Sequence, residues 1–488
     1  MQGLKILALR GTFWALGESF GVAALSFAVF VVLARLLAPQ DFGVVALAGA
    51  FIIIMNVVIG HSFADCLIQR SEIEPEHLDT VFWTMLLLAL VLVGLCWAGA
   101  VPLSRWLGAP RLAEILPALS LILPLNAVGS VQLALFRREM RFRDVTLRSV
   151  GGRMTGAAVG ITMAVGGFGA WSLVGQQVTS VAITTIALAV ASPWRPRLRF
   201  SLPHLRDLWR FGFYVSASGV VSGVGEQVIN LLVGSLFGTT TLGYFTIAWR
   251  MAQLIRTLIA SAVYHVGLSA FARLQENRAL VAQAFLKATR LSCLFGFPIG
   301  VGMALLAAPL VLVMFGDHWR PSIPLLAILA LDMIPAFYGI FFTACYRAMG
   351  RPDWVLGLSL AYVGIGTLAI WLLMPLGIQV VAIAWVAKVV PLLPIQLTLL
   401  RRLLDVSVRG LVAPVWAPLA ASAIMAGAVG ALRWGLGGSV GDVTLLALAI
   451  PTGALVYIAV IALIAPGLIR TTANAVRLSA TPSAAVAG

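Results

Sequence analysis

Eight charged or strongly polar residues lie inside segments of this sequence that are otherwise apolar. A charge at bilayer depth costs at least about 2.5 to 3.5 kcal/mol, so it normally faces a polar cavity or a partner of opposite charge. Arginine suits a phosphate ligand because its planar guanidinium can bind two oxygen atoms at once. The expected chemistry is therefore anion binding within a membrane. The positions are Glu18, Asn56, Arg153, Glu226, Arg250, Arg256, Asp332 and Lys388.

The densest group of these charges falls on two consecutive predicted helices. At 1.5 Å per residue, Arg250 lies about 12 Å and Arg256 about 21 Å below the outer end of its helix, and Glu226 lies about 17 Å deep in the preceding helix. We expect Glu226 to lie near one of the arginines. Two interpretations stay open, a structural ion pair or the lining of a binding cavity. The predicted substrate-binding residues are Arg250, Arg256, Gln253, Asn230, Arg153 and Lys388.

Three intramembrane carboxylates are predicted sites for a coupling proton or sodium ion: Glu18, Glu226 and Asp332. Arg153 and Lys388 can equally extend to the interface or form ion pairs, and Asn56 is typical of an interhelical hydrogen bond. The 4 cysteines and 5 histidines show no ligand spacing. We therefore predict no catalytic residue, no metal site and no cofactor.

The composition is that of an all-α membrane protein. Of 488 residues, 61% are hydrophobic and 10% are charged, whereas globular proteins have about 25% charged residues. Strands of a membrane barrel would alternate in polarity over about ten residues, which this sequence does not do. The loops are too short for an extramembrane catalytic domain, so we do not expect an enzyme. The fourteen predicted spans are residues 11–34, 42–65, 79–103, 112–136, 148–166, 169–191, 211–237, 242–269, 288–315, 321–346, 354–374, 378–400, 411–432 and 443–469.

The second half of the sequence repeats the first. Residues 34–43 align with 234–243, and 134–141 align with 344–351. We therefore predict two six-helix lobes related by a pseudo-two-fold axis along the membrane normal, as in transporters whose binding site lies between repeats. The predicted divisions are an N-lobe of residues 1–200, a C-lobe of 201–404, two extra helices in 405–470 that pack beside the second lobe, and a disordered tail of 471–488.

The net charge of +15 follows the positive-inside rule. With a cytoplasmic N-terminus, most basic loop residues fall on the cytoplasmic side, which places both termini there. These basic loops are expected to contact membrane lipids rather than nucleic acid. On the opposite face, the basic residues are Arg35, Arg105, Arg111, Arg320 and Arg433.

Five short motifs, in order, resemble the polysaccharide-transporter branch of the MOP superfamily of flippases, closest to Wzx-type exporters of the colanic-acid kind. The resemblance covers about residues 5 to 400. The motifs are residues 35–43 (RLLAPQDFG), 136–143 (FRREMRFR), 315–321 (FGDHWRP), 346–352 (YRAMGRP) and 375–378 (PLGI).

The resemblance implies transport rather than bond chemistry. The cargo would be a polyprenyl-pyrophosphate-linked oligosaccharide repeat unit, moved by a monomeric flippase across the bacterial inner membrane by alternating access between the lobes. Such a cargo needs a cationic cavity and an opening for its lipid tail. A drug or small-solute antiporter of the same fold is the alternative, and a membrane glycosyltransferase or polymerase is a third possibility from a different class.

Overall fold

The computed structural model describes residues 21, 23–69, 74–139, 141–274, 277–436 and 439–466. Within these ranges ten helical segments are long and apolar enough to cross a membrane, and two apolar helices are shorter. The predicted tail of 471–488 falls outside them. In chain order the helices are α1 (Ala23–Leu36), α2 (Pro39–Gln69), α3 (Pro75–Trp106), α4 (Leu112–Ser120), α5 (Ile122–Arg138), α6 (Phe142–Val165), α7 (Ala170–Ala191), α8 (Leu202–Leu274), α9 (Arg278–Leu305), α10 (Ala307–Phe315), α11 (Ser322–Ala330), α12 (Met333–Gly339), α13 (Phe342–Ala348), α14 (Pro352–Leu373), α15 (Ile378–Ala387), α16 (Leu393–Leu404), α17 (Val408–Leu436) and α18 (Asp442–Ile464).

The predicted loop between the seventh and eighth spans is a single break within one long helical segment. Gly238 has φ 80° and ψ 168°, outside the helical range, and divides α8 there. Glycine tolerates this φ because it has no Cβ. The predicted spans 211–237 and 242–269 therefore correspond to the two halves of α8.

Four predicted spans contain an interruption of the helical hydrogen bonds, and two of these, Leu112–Arg138 and Ser322–Ala348, still count as single membrane-spanning segments. Four of the breaks lie at or just before a proline whose missing N–H leaves the carbonyl four residues earlier without its helical donor, whereas the turn at 340–341 between α12 and α13 has no such proline. The prolines are Pro124 after α4, Pro309 after α9, Pro335 after α11 and Pro391 after α15. The breaks at Leu121 and Leu331 lie at corresponding positions of the sequence repeat.

The two C-terminal helices pack on α9 and α10. Their shared core is built from Leu306 of the α9–α10 turn, from α17 and from α18. The opposite faces carry exposed large apolar side chains, including Trp416 (65% exposed) and Leu455 (69%). This contact with spans of the second repeat agrees with the expected packing beside the second lobe.

Two side-chain hydrogen bonds attach α17 and α18 to backbone carbonyls of α9. Each of these carbonyls lacks a helical N–H donor because the residue four positions later is a proline. Tyr457 of α18 donates its hydroxyl to the carbonyl of Leu294 at 2.8 Å, and Pro298 is the residue that cannot donate to that carbonyl. Arg433 of α17 donates to the carbonyl of Leu305 at 2.7 Å, the carbonyl freed by Pro309. The side chains thereby replace helical hydrogen bonds that α9 lacks.

Removing the hydroxyl in Tyr457→Phe should destabilise the protein by about 1 to 3 kcal/mol, because a buried carbonyl loses its donor. In a Pro298→Ala background, residue 298 regains an N–H that can serve the Leu294 carbonyl. The same Tyr457 substitution should then cost much less. A double-mutant cycle of unfolding free energies in detergent measures this coupling, and strictly additive effects would contradict the assignment.

The chain folds into two compact units. The first comprises the described residues up to Ile247 together with Leu356–Val381; the second comprises Ala248–Val355 and the described residues from Ala382 onward. These boundaries differ from the lobes of 1–200 and 201–404 inferred from the repeat. The lobes, their symmetry and the number of fourteen spans stay predictions.

Two helix starts meet in the first unit through a reciprocal backbone contact. A Cβ on Gly43 would overlap the carbonyl oxygen of Thr239, and a Cβ on Gly243 would overlap that of Pro39. Gly43 corresponds to Gly243 in the repeat, and Pro39 corresponds to Thr239. Equivalent segments of the two repeats therefore make reciprocal contacts, at a distance that only glycine permits.

Candidate functional site

Three spans of the second unit bring together charges that are far apart in sequence. Arg256 lies in α8, Asp332 lies between α11 and α12, and Lys388 follows the end of α15. The Arg256 Nη1 atom is 3.4 Å from the Asp332 Oδ2 atom. Arg256 and Lys388 both lie within electrostatic range of the Asp332 carboxylate. Two cations therefore share one described anion.

The ion pair between Arg256 and Asp332 is loose and partly open. Its separation of 3.4 Å exceeds the about 2.7 to 2.9 Å of strong charge-assisted hydrogen bonds. The side chains of Arg256 and Asp332 are 31% and 21% exposed. A sealed structural pair would need close geometry to offset the loss of hydration. This pair therefore lacks the close geometry of a sealed structural ion pair.

Lys388 lies over an aromatic pair. Its Nζ atom is 2.9 Å from the centroid of the Trp385 ring, and Trp385 makes an edge-to-face contact with Trp249 at 6.0 Å. The electron-rich face of an indole stabilises a cation, most strongly where water is scarce. Trp385 therefore holds the lysine charge in place and spares Asp332 from neutralising both cations alone.

The proline breaks explain why Asp332 and Lys388 occupy these positions. Both residues lie in turns where the helical hydrogen-bond pattern is interrupted next to Pro335 and Pro391, and Asp332 itself keeps right-handed helical dihedral angles. Measured from the outer ends of their predicted spans, Arg256 is about 21 Å deep, Asp332 about 16 Å and Lys388 about 15 Å. Interrupted backbone at this depth is tolerated where it is buried in protein or lines a water-filled cavity. In transporters, interrupted spans near the midplane mark binding sites.

The other predicted binding residues form local contacts. Arg250 is exposed and Gln253 is half-buried, both on α8 before Arg256. Asn230 donates to Gln227 within α8 at 3.1 Å, and Arg153 of α6 donates to Ser26 of α1 at 3.0 Å. Asn230 and Arg153 belong to the first unit, so their part in the site stays a prediction.

Asn56, expected to donate an interhelical hydrogen bond, forms such a bond as the acceptor. Asn126 of α5 donates its amide to the Asn56 oxygen of α2 at 2.9 Å. Glu18 and the side chain of Glu226 lie outside the part of the chain that the structure describes. The expected pairing of Glu226 with an arginine is therefore untested, and the described carboxylate partner of Arg256 is Asp332.

The two tryptophans were missed by reasoning from sequence. The spacing of Trp385 and Lys388, three residues apart around a helix end, favours contact between them. The contact between Trp385 and Lys388 could therefore have been predicted from their spacing. The pairing of Trp249 with Trp385 could not, because it depends on the packing of distant segments.

Comparisons with known proteins identify the family. The sequence model of the family described as "Polysaccharide biosynthesis protein" matches residues 32–324. The chain is 30% identical over 396 residues to the succinoglycan biosynthesis transport protein ExoT of Rhizobium meliloti (strain 1021), a match covering 77% of this chain and 79% of that protein. It is 23% identical over 337 residues to the lipopolysaccharide biosynthesis protein WzxC of Escherichia coli (strain K12), covering 68% of each.

Solved structures show the same fold. The lipid II flippase MurJ in an inward closed conformation matches with a TM-score of 0.75 at 15% identity, over 95% of this chain and 100% of that one. An inward-facing multidrug resistance MATE family transporter of the MOP superfamily matches with a TM-score of 0.62 at 19% identity, over 78% and 94%. The chain belongs to the polysaccharide biosynthesis protein family, with the fold of a MOP-superfamily transporter.

Proposed function

We propose that this protein is a flippase that moves a polyprenyl-pyrophosphate-linked oligosaccharide repeat unit from the cytoplasmic to the outer leaflet for surface polysaccharide biosynthesis. The observation that carries the proposal is the cluster of Arg256, Asp332 and Lys388 at interrupted midmembrane backbone. The class of cargo comes from one relative named as a succinoglycan biosynthesis transport protein and another named as a lipopolysaccharide biosynthesis protein.

The pyrophosphate would compete with Asp332 for Arg256. In the empty protein the carboxylate limits the cost of holding two cations at bilayer depth. A pyrophosphate offers more oxygens and more negative charge, so the guanidinium fork can turn from one carboxylate oxygen to two phosphate oxygens. Lys388 on Trp385 then adds a second cation to the same head group. Arg250 and Gln253, on the adjoining turns of α8, extend the polar surface towards the sugars.

Alternating access between the lobes of 1–200 and 201–404 would carry the head group across, with both termini in the cytoplasm of a bacterial cell and the protein acting as a monomer in the inner membrane. Under this proposal Glu18 and Glu226 are the sites for a coupling proton or sodium ion. The lipid tail would stay in the bilayer beside the protein, with the outer faces of α17 and α18 as one surface for it.

A reconstitution experiment tests this function. Purified protein in vesicles should expose a fluorescent polyprenyl-pyrophosphate oligosaccharide to an impermeant quencher faster than protein-free vesicles do. Polyprenyl pyrophosphate without sugar should raise the melting temperature of the detergent-solubilised protein more than polyprenyl monophosphate does.

Two other outcomes would overturn the proposal. Accumulation of a cationic dye against an imposed ion gradient, without stabilisation by polyprenyl pyrophosphate, would identify the small-solute antiporter instead. A change in the sugar chain length of the recovered glycolipid, read by mass spectrometry, would indicate a glycosyltransferase or polymerase.

A further inference from the structure

The segment that joins α7 to α8 is a fixed feature of the first unit. Residues 193–201, here called the strap, run in non-helical backbone up to Leu202, the first residue of α8. Arg195 donates to the carbonyl of Ala189 at 2.8 Å and so caps the end of α7. From there the strap turns along the first turns of α3. Its position is therefore set by contacts on both sides rather than by the covalent chain alone.

Four residues of α3 hold the strap, and they lie on one helix face because their spacing is i, i+3, i+4 and i+7. The Trp83 indole donates to the carbonyl of Arg197 at 2.7 Å. The N–H of Arg197 in turn donates to the buried carboxylate of Asp79 at 3.1 Å. The remaining contacts are the ion pair of Arg199 with Glu76 at 2.8 Å and the bond from Ser201 N–H to Thr80 Oγ1 at 3.2 Å.

These contacts place the strap at the edge of the apolar belt. Leu87, the first strongly exposed apolar residue of α3 after Trp83, is 66% exposed, and Leu90 and Val91 follow at 53% and 52%. Leu87 comes four residues after Trp83 in α3, so the two residues are about 6 Å apart along the helix axis. Tryptophan is enriched where a membrane meets water. The strap therefore lies at the depth of lipid head groups.

The exposed residues of the strap alternate along the sequence between basic and apolar types. Leu198 is 90% exposed, Phe200 is 56% exposed and Leu202, just after the strap, is 68% exposed. Arg197 precedes Leu198, Arg199 lies between Leu198 and Phe200, and both arginines are also exposed. Exposed apolar side chains interleaved with arginine are typical of segments that lie in the plane of a membrane surface.

We infer that the strap is a binding site for anionic phospholipid, with Leu198 and Phe200 inserted among the acyl chains and Arg197 contacting the lipid phosphate. The exposed guanidinium of Arg197 favours an anionic head group, since Arg199 is already paired with Glu76. The depth of the strap, one helical turn from side chains that face lipid, selects the membrane rather than an acidic protein in solution. This inference does not depend on the identity of the cargo.

An environment-sensitive fluorophore tests the site in the full-length protein. The label is attached to Leu198→Cys in a background where Cys66, Cys96, Cys293 and Cys345 are alanine, and the protein is placed in nanodiscs of phosphatidylcholine with increasing phosphatidylglycerol. The emission should shift to shorter wavelength as phosphatidylglycerol increases, and lipid brominated near the head group should quench it. Arg197→Gln should raise the phosphatidylglycerol fraction needed for half of the shift by about fivefold.

Matched controls define the outcomes. Arg278→Gln, which removes an exposed arginine at the start of α9, should leave the response at position 198 unchanged. A label at Leu360, which is 53% exposed near the middle of α14, should report lipid at every composition. The inference is wrong if the label at 198 reports water throughout, if its emission ignores phosphatidylglycerol, or if it changes with protein density instead of lipid.

Discussion

Replacing Arg256 with alanine should reduce flipping of the lipid-linked oligosaccharide by about 30-fold or more, the effect of deleting one partner of a desolvated charge contact. The loss follows because Lys388 alone cannot supply the two-oxygen contact that the guanidinium makes with pyrophosphate. Arg256→Lys should recover only part of the rate, since it restores the charge without the fork. The measurement is the initial rate of quencher accessibility in proteoliposomes, with protein amount matched by immunoblot.

Asp332→Asn separates a binding site from a structural ion pair. If the pair only stabilises helix contact, loss of either partner should lower the melting temperature and the flipping rate together. If Asp332 competes with the cargo, Asp332→Asn should keep or strengthen the stabilisation by polyprenyl pyrophosphate, while Arg256→Ala removes it. Equal losses in the two variants would contradict the proposed exchange.

The pair of Arg320 and Asp317 supplies the matched control for Arg256. It is also an arginine–aspartate contact, at 2.8 Å, but its side chains are 67% and 83% exposed. Exposed pairs of this kind contribute little. Arg320→Ala should therefore leave both the melting temperature and the flipping rate near the wild-type values.

Alanine at Gly43 or at Gly243 should lower the free energy of unfolding by about 1 to 3 kcal/mol each, the usual cost of forcing extra atoms into a packed contact. In both cases the added methyl group meets a backbone carbonyl, which cannot rotate away as a side chain would. The two helix starts must therefore move apart. Denaturant titration of the detergent-solubilised protein measures the change, and flipping assays should show a parallel loss.

The reciprocity of this contact makes a sharper prediction for the double variant. Once one alanine has separated the backbones, the second finds space, so Gly43→Ala combined with Gly243→Ala should cost less than the sum of the single substitutions. Gly49→Ala, where a Cβ would meet nothing within 4 Å, serves as the control and should be neutral. Full additivity would show that the two glycines do not share one contact.

The locations of the membrane spans could be predicted because they depend on a local property. A run of about 20 apolar residues is required to cross the bilayer, whatever its neighbours are. The interruptions were harder to predict, since a proline inside a membrane helix can bend it or break it. The helical hydrogen bonding is interrupted two residues before α12, which contains Pro335, and again around Pro391, and the local sequence alone does not distinguish these outcomes.

The charged residues of the site were recognisable, but their pairing was not. Arg256 and Asp332 are 76 residues apart, and nothing in their local sequence distinguishes Asp332 from Glu226 as a partner.

The glycine stripe of α6 is a feature that could have been recognised from the sequence but was not. Gly152, Gly156 and Gly160 recur every four residues and let α7 approach so closely that an added Cβ would meet its atoms. This spacing is a familiar mark of close helix contact in membranes.

The charges of the candidate site all belong to one compact unit, which has a consequence for the direction of transport. If that unit moves as a rigid body, the spacing of Arg256, Asp332 and Lys388 is the same whichever side of the membrane the site faces. A ligand with equal affinity for two states does not shift the balance between them. The head group would then exchange in both directions at this cluster, so the direction of net export would have to come from elsewhere: from the ion coupled at Glu18 and Glu226, or from later reactions that consume the cargo outside.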